Sequence, residues 1–457
     1  MIVSNLKNFI KRQPLKTMGL IIVIWIILAA SNLILLKLFP ASLPDTPLWF
    51  PISVSSNPAL NTSGLPYAIL FLILLYWTLK EKNIRSGMLQ AYLIGLAFII
   101  LGNLIQGNAD IAFRQPLYAS NNQYYHDALK ITSWVDWLNT FNTYQTELFV
   151  HSRTHPPFAV LLHYLLIFFL GNHPLQVGFL FVLLSSISIV FVGLIFGELG
   201  VTKEKRNAFI ILFSVIPAVN IYTAVSLDGV ILTTSTFWLL GLVILLRRPK
   251  FSMSGALFFV IGMLLTNLLT FVGVFFFAVS GLVGLLEYFY KRKMQVLIVT
   301  GLAACLFILL IIGLNQFAHY DHIRAFFTAS HLENPRGFWG LIAPLDFVVS
   351  RVECVGEIAL FFSVGCLAML LNKDRLQLDL LAFDDDIVRV ALVAIVILAA
   401  LFLIGLNHTG ETARSCIFIY PFLLLFFYKS DRSLLGDLVV LAGLQTVIMQ
   451  LFFWFFW

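Results

Sequence analysis

Apolar runs about as long as a bilayer is thick recur along most of this 457-residue chain. They begin at Met18 and continue to the C-terminus, and a run of roughly 17 to 25 residues is long enough to cross the hydrocarbon as a helix. Hydrophobic residues make up 60% of the chain and charged residues only 11%, so no soluble domain is needed to account for any part of it. The sequence predicts an all-α, polytopic membrane protein.

Basic residues between the apolar runs indicate how the chain is threaded through the membrane. With the N-terminus in the cytoplasm, most of the 29 Lys and Arg residues fall on inward-facing loops, as the positive-inside rule requires. This threading needs the run 158–170 not to cross, since as a helix it would be about 20 Å long against a hydrocarbon core of roughly 30 Å. About 13 transmembrane helices result, near 18–39, 65–80, 87–106, 177–197, 207–225, 229–246, 252–268, 270–289, 294–317, 353–371, 389–406, 414–428 and 434–456.

Cysteine usage and net charge argue against several kinds of site. The four cysteines are scattered within or beside apolar runs without metal-ligand spacing, so neither a disulfide framework nor a zinc site is expected. The net charge of +6 follows from the basic inward loops and does not indicate binding to nucleic acid. The acidic run 384–386 has no glycine-rich phosphate loop beside it and is expected to be a solvated turn.

All nine histidines fall on the non-cytoplasmic side in this threading, although chance would divide them between the two sides. The same side receives the long loop 107–156, the loop at Asp228, the loop 318–352 and the short loop 407–414. Each of these loops carries an acidic residue near a membrane boundary. Because ionisable groups close to a bilayer are costly and usually functional, the sequence predicts one active face built by four loops, on the outer side of the plasma membrane if the chain is prokaryotic.

Four short motifs occur on these loops in a fixed order. They are Tyr125-His126-Asp127, His155-Pro156-Pro157, Asp228 just after a Pro217-containing span, and Gly410-Glu411-Thr412-Ala413-Arg414. In that order they resemble the GT-C family of integral-membrane glycosyltransferases, over roughly residues 88–430. The resemblance implies a GT-C-like transmembrane catalytic region over 87–457, preceded by an N-terminal transmembrane hairpin over 1–86.

The resemblance also implies a reaction. Relatives such as protein O-mannosyltransferases and aminoarabinose transferases take a sugar from a polyprenyl-phosphate carrier at the outer face of the membrane. The implied partners of this chain are therefore a polyprenyl-phosphate sugar donor, the lipid bilayer, and an acceptor that is a lipid, a glycan or a protein. Such a reaction needs a base for the incoming hydroxyl and cations or donors for the phosphate oxygens.

Asp127 is our sequence-based choice for the base. A carboxylate is intrinsically weak in that role, but the proton can leave late, once bond formation has made the hydroxyl acidic, and burial would raise the carboxylate's pKa. The alternative is that Asp127 caps a helix starting at Ala128, because Asp is a preferred N-cap residue.

The phosphate of the donor is assigned to basic and dipolar groups on two loops. His155 precedes two prolines that suit the first turn of a helix, and such a helix N-terminus attracts anions. Arg414 is expected to grip phosphate oxygens with its planar fork, with Glu411 orienting it or binding the sugar. The alternatives are an interfacial histidine and a Glu–Arg pair that stabilises one helical turn. His126 and Arg153 join the predicted donor site.

Asp228 is the second predicted catalytic carboxylate. It is expected to hold the acceptor or a divalent metal, Mg²⁺ or Mn²⁺, unless the reaction uses no metal; the alternative is a cap on a helix beginning at Gly229. A different class of function, a transporter or flippase for a lipid-linked or anionic substrate, also fits a polytopic protein. Transporters place charges or broken segments at the midplane in related halves, whereas here the charges gather at one face.

Overall fold

The computed structural model shows an all-α integral membrane protein, as the sequence predicts. The structure describes residues 14–38, 60–80, 87–118, 123–224, 227–371, 376, 383–405 and 411–455. The first helices of this part are α1 (Pro14–Leu38), α2 (Leu65–Thr78), α3 (Met88–Leu104), α4 (Gln115–Tyr118), α5 (Tyr124–Ala128), α6 (Trp134–Tyr144), α7 (Val150–Arg153) and α8 (Pro157–Leu170).

The remaining helices continue to the end of the described chain. They are α9 (Pro174–Glu198), α10 (Lys203–Val215), α11 (Pro217–Tyr222), α12 (Leu227–Arg247), α13 (Met253–Leu269), α14 (Val274–Lys291), α15 (Gln295–Ala318), α16 (His322–Glu333), α17 (Trp339–Ile342), α18 (Pro344–Phe362), α19 (Val364–Leu370), α20 (Asp386–Leu403), α21 (Thr412–Ser415), α22 (Tyr420–Leu425) and α23 (Arg432–Phe452).

Several described helices match the predicted spans in length and composition. Six are long and apolar enough to cross a membrane: α9, α12, α14 with its preceding turn, α15, α20 and α23. A seventh span results if the bent pair of α18 and α19 counts as one, and α2, α3, α8 and α13 are shorter apolar helices. The predicted total of about 13 stays a prediction. The 14-residue α8 matches the run that the threading keeps from crossing.

Three predicted spans are wrong as single helices. The span 207–225 breaks between α10 and α11, where Pro217 lacks the amide that a continuing helix needs. The span 353–371 bends by 97° between α18 and α19, at Ser363, whose φ is 92°. The span 414–428 consists of α21, a 3₁₀ turn and α22. These interruptions place irregular backbone inside the protein, where neighbouring helices can satisfy it.

Helix α12 lies at the centre of the packed core, where 94% of its apolar segment is buried. Its glycine-mediated contact with α13 is close: a Cβ on Gly241 would lie 2.3 Å from the Phe259 amide nitrogen, and one on Gly262 would lie 2.4 Å from that of Trp238. Small residues allow helix backbones to approach in membranes, where lipid supplies little hydrophobic drive for association. By contrast, only 17% of the apolar segment of α15 is buried inside the protein, so most of its surface is exposed.

Two asparagines fix the broken segment next to the core. Asn103 of α3 donates to the Asn220 carbonyl at 2.7 Å, and Asn220 of α11 donates to the carbonyls of Phe98 and Ser214, both at 2.9 Å. Side-chain amides thus bridge the gap between α10 and α11. They hold the chain that leads into the start of α12, where Asp228 lies.

The acidic run 384–386 begins as an exposed turn at Asp384, as expected, but Asp385 and Asp386 are paired with other residues. Asp385 accepts from the amides of Ile387 and Val388 at the start of α20, and from Lys429 at 2.8 Å. Asp386 pairs with Lys291 and Arg389. Asp385 thus caps α20, and the ion pairs of Asp385 and Asp386 join α20 to the segment after α22 and to α14. These contacts depend on tertiary packing.

The threading makes a prediction that labelling can check. In a cysteine-free background, single cysteines at Thr154 and at Asn172 should both react with an impermeant maleimide added from the non-cytoplasmic side, because α8 joins them without crossing. A cysteine at Met294, which is 51% exposed before α15, should react only after the membrane is permeabilised. If the cysteine introduced at Asn172 were labelled only from the cytoplasmic side, α8 would span the membrane and the threading would be wrong.

Candidate active site

An aromatic and histidine cluster lies where the first long loop meets α8. The Tyr124 ring stacks on His163, with centroids 5.2 Å apart and an interplanar angle of 26°, and meets the edge of His155 at 5.4 Å. His151 lies 5.8 Å from the same ring. His151, His155 and His163 come together because α7 and α8 are short helices separated by one turn. We call these four residues the Tyr124 cluster.

Helix α8 begins as the proline pair predicts. Pro156 is its N-cap residue and Pro157 its first helical residue, and no side chain caps its first amides. Proline suits this position because its φ is preset for the helix and its missing amide would be unpaired there. His155 therefore sits directly before the positive end of a helix dipole, and its Nδ1 lies 3.1 Å from the His151 carbonyl.

A charged cluster lies at the starts of α12 and α21. The Arg414 guanidinium pairs with Glu411, three residues earlier, and its Nε lies 3.5 Å from an Asp228 carboxylate oxygen. The pair with Glu411 is the helical-turn pair considered as the alternative role, but Arg414 also reaches Asp228 on another helix. Asp228 lies within the first turn of α12, which begins at Leu227. The expectation that Asp228 caps a helix starting at Gly229 is therefore wrong.

Electrostatics connect the two clusters. Burial raises the pKa of Tyr124 well above its ordinary value, and the Asp228 carboxylate adds to that rise. Burial lowers the pKa of His155, against the opposing effect of the same carboxylate. Arg414 also acts on His151, whose pKa burial lowers well below its ordinary value. These interactions join the first loop, α12 and α21 in one polar site.

Asp127 lies in a different environment from the other predicted catalytic carboxylate. Its side chain is fully buried and accepts from Lys130 Nζ at 2.8 Å and from the Phe149 amide at 3.0 Å. It lies inside α5, whose N-cap residue is Gln123, so the alternative of a cap at Ala128 is wrong. These contacts tie α5 to the chain that enters α7, and so support the position of Tyr124.

The two remaining predicted donor residues also lie on the first loop. His126 Nε2 is 3.0 Å from the Tyr118 carbonyl, and its ring packs against Tyr118 and Phe149. Arg153 ends α7, and within the described chain its Nε is buried without a hydrogen-bond partner. The described contacts of His126 are thus with its own loop, whereas Arg153 retains an unused donor.

Sequence reasoning missed several members of the site. The sequence motifs do not include Tyr124, His151 or His163. The spacing of four residues between His151 and His155 is the signal that indicates one helical face. Glu333, at the end of α16, acts electrostatically on both Tyr124 and His155. No local pattern marks that residue, because its relation to the site depends on how α16 packs.

Two features of the described residues bear on the binding of a metal ion and of a lipid. Within the described ranges no three His, Cys, Asp or Glu side chains are placed to hold a metal ion. An apolar groove of about 400 Å³ lies between α6 and α15. Its residues Leu138, Leu314 and Ala318 pack in one cluster with Phe158 and Leu161 of α8, which connects the groove to the helix that follows His155.

Comparison with known proteins adds one distant likeness. No family model matches the chain, and no curated protein matches its sequence. Among solved structures the chain is similar to the apo-state crystal structure of ArnT from Cupriavidus metallidurans, at 14% sequence identity and a TM-score of 0.34. The match covers 84% of this chain and 78% of that chain. A likeness this distant leaves the function to be argued from the site's own residues.

Proposed function

We propose that this protein is an integral-membrane glycosyltransferase. It transfers a sugar from a polyprenyl-phosphate carrier to a lipid, glycan or protein acceptor at the non-cytoplasmic face. The observation that carries the proposal is the Arg414 guanidinium held between Asp228 and Glu411, next to the Tyr124 cluster. A cation, carboxylates and aromatic rings at the ends of membrane helices are the groups that a lipid-phosphate sugar requires.

Arg414 is the principal phosphate ligand in this proposal. Its planar fork offers paired N–H donors to two phosphate oxygens, and its partners Asp228 and Glu411 orient it before the donor binds. His155 lies directly before the start of α8, whose first amides have no side-chain cap, so the helix dipole there favours an anion. Arg153 contributes its buried Nε, and His126 supports the loop.

The reaction is a displacement at the anomeric carbon. The acceptor oxygen forms a bond to that carbon while the bond to the phosphate oxygen breaks, and its electron pair leaves with the polyprenyl phosphate. The proton of the acceptor hydroxyl passes to a carboxylate. We assign this role to Asp228, because it lies beside Arg414, the proposed phosphate ligand, whereas the partners of Asp127 are Lys130 and the Phe149 amide on the first loop.

The bilayer side of the protein supports a lipid-linked donor. The groove between α6 and α15 is apolar and lies along a helix that is mostly exposed. An isoprenoid chain entering from the bilayer finds there a surface of matching chemistry, connected by packing to the start of α8. A water-soluble sugar donor would have no use for such a surface.

The decisive assay supplies the purified protein with a panel of polyprenyl-phosphate sugars in nanodiscs. Release of free polyprenyl phosphate, followed by mass spectrometry, is expected for at least one donor. Heat-denatured protein is the control. If correctly folded protein releases polyprenyl phosphate from none of the donors, with lipid, glycan and peptide acceptors all supplied, the proposed reaction is excluded.

A transporter is the second candidate, and the broken helices favour it. Discontinuous spans such as α10–α11 and α18–α19 also occur at transporter binding sites. Proteoliposomes separate the two functions, because a flippase moves an intact lipid-linked sugar across the bilayer whereas a transferase changes its covalent structure. Movement without release of polyprenyl phosphate would establish the transporter.

Replacement of Arg414 tests the phosphate ligand. Arg414→Lys keeps the charge but loses the fork, so donor Kd is expected to rise by about tenfold, and further in Arg414→Ala. Isothermal titration calorimetry with a non-transferable donor analogue measures the change in Kd. Arg248 is the matched control, since it forms a two-point pair with Glu198 at the other end of α12, and Arg248→Lys should leave Kd unchanged. Equal donor affinity in Arg414→Ala and the unaltered protein would remove Arg414 from the site.

A further inference from the structure

A row of buried polar side chains follows one face of α18. It contains Ser350, Glu353, Cys354 and Glu357, each no more than 1% exposed. The helix is otherwise apolar on its outer side, where Val348, Val352 and Val355 are exposed. Carboxylates are costly within a membrane helix and are retained where they have a function.

Glu357 has a defined target. One oxygen of its carboxylate accepts from the Thr412 amide at 3.2 Å and the other from the Ala413 amide at 3.0 Å. Those are the first two amides of α21, which have no partner inside their own helix. Thr412 and Ala413 are themselves buried, and they lie between Glu411 and Arg414 in the chain. Glu357 thus holds the backbone that carries both members of the ion pair.

We propose that Glu357 is a positioning residue for the sugar-transfer site, an inference that rests on the proposed function. Its carboxylate sets the place of the 411–414 turn, and through that turn the direction of the Arg414 guanidinium toward Asp228. A neighbouring contact agrees with this role, because Tyr420 of α22 donates to the Ile358 carbonyl of α18 at 3.4 Å. The segment after the turn is therefore attached to the same helix.

The chemistry requires a carboxylate. Two backbone donors converge on one side chain, and only a carboxylate offers an acceptor oxygen to each. In Glu357→Gln one oxygen becomes an NH₂ group that faces an N–H donor, so one hydrogen bond is lost at nearly constant shape. Glu357→Asp keeps both oxygens on a side chain shorter by one methylene, which reaches the turn less well.

The test combines a local structural readout with kinetics on the full-length protein in nanodiscs. In Glu357→Gln, hydrogen exchange at the Thr412 and Ala413 amides is expected to accelerate by about tenfold or more, because one hydrogen bond of ordinary strength is lost. Donor KM is expected to rise by about tenfold, with a smaller change in kcat. Glu357→Asp should fall between this variant and the unaltered protein. The control is Glu353→Gln, equally buried on the same helix, which should leave exchange at 412 and 413 unchanged.

The two readouts separate the possible failures. Loss of folded protein alone would lower apparent kcat while leaving donor KM unchanged, so a raised KM identifies positioning. If Glu357→Gln alters neither exchange at the turn nor donor KM, the positioning role is overturned. If the unaltered protein transfers no sugar but exchange still accelerates in Glu357→Gln, the hold on the turn stands and the proposed function fails instead.

Discussion

Asp228→Asn is expected to lower sugar transfer by about a hundredfold or more, the usual loss for a positioned base. Asn has nearly the same shape as Asp and keeps one oxygen toward Arg414 but is far less basic, so the fold should survive and donor affinity should fall much less than the rate of transfer. Single-turnover transfer from a bound donor measures the chemical step directly. A transfer rate for Asp228→Asn within a few-fold of the unaltered protein would exclude Asp228 as the base.

Asp127→Asn is the matched comparison, since Asp127 is the carboxylate that its sequence context predicts as the base. The structure gives Asp127 two partners, Lys130 and the Phe149 amide, so its replacement should chiefly loosen α5 and the Tyr124 cluster. We therefore expect a smaller loss of transfer than in Asp228→Asn, together with a lower melting temperature. The opposite order, with intact stability in Asp127→Asn, would return the role of base to Asp127.

Arg389→Ala is expected to lower the free energy of unfolding by about 3–5 kcal/mol, the typical cost of breaking a buried ion pair. The Arg389 side chain is 1% exposed and that of Glu287 is 2% exposed, with Nη1 and Oε1 2.6 Å apart. Arg389 also donates to the Phe383 carbonyl at 2.7 Å. Removal of the guanidinium leaves a buried carboxylate of α14 without its main cation. Unfolding in mixed micelles, followed by circular dichroism, measures the loss.

Two further variants show whether the effect belongs to the buried pair. Arg248→Ala removes a comparable but exposed pair with Glu198, so it should cost less than about 1 kcal/mol. The double variant Glu287→Leu/Arg389→Met removes both buried charges and should recover most of the stability. Similar losses in Arg389→Ala and Arg248→Ala would show that burial adds nothing to this pair.

Much of the fold follows from local sequence patterns. An apolar run long enough for the bilayer must form a helix there, because lipid offers no partner for exposed backbone groups. That rule predicts α9, α12, α14, α15 and α23 from composition and length. The start of α8 at Pro157 follows from the geometry of proline, and the pairing of Glu411 with Arg414 follows from their spacing of three residues.

The breaks in the helices are less visible in the sequence. Pro217 marks the gap between α10 and α11, but nothing in the residues around Ser363 requires the bend of 97° after α18. The short pieces α21 and α22 also lie inside an apolar run that composition alone makes a single span. Such breaks are stable only because other helices supply the missing hydrogen bonds, as Glu357 does for Thr412 and Ala413.

The sequence by itself determined that this is a membrane protein of many helices, and it selected loop residues that the structure brings close together, including His155, Asp228, Glu411 and Arg414. Only the tertiary structure decided that Asp228 faces Arg414 and that Tyr124 stacks on His163. It also decided that Asp127 accepts hydrogen bonds from Lys130 and the Phe149 amide. The physical reason is the separation along the chain of the residues that interact. Helix formation depends on neighbours within a few residues and on the surrounding solvent, whereas contacts between side chains on distant segments depend on how the helices pack.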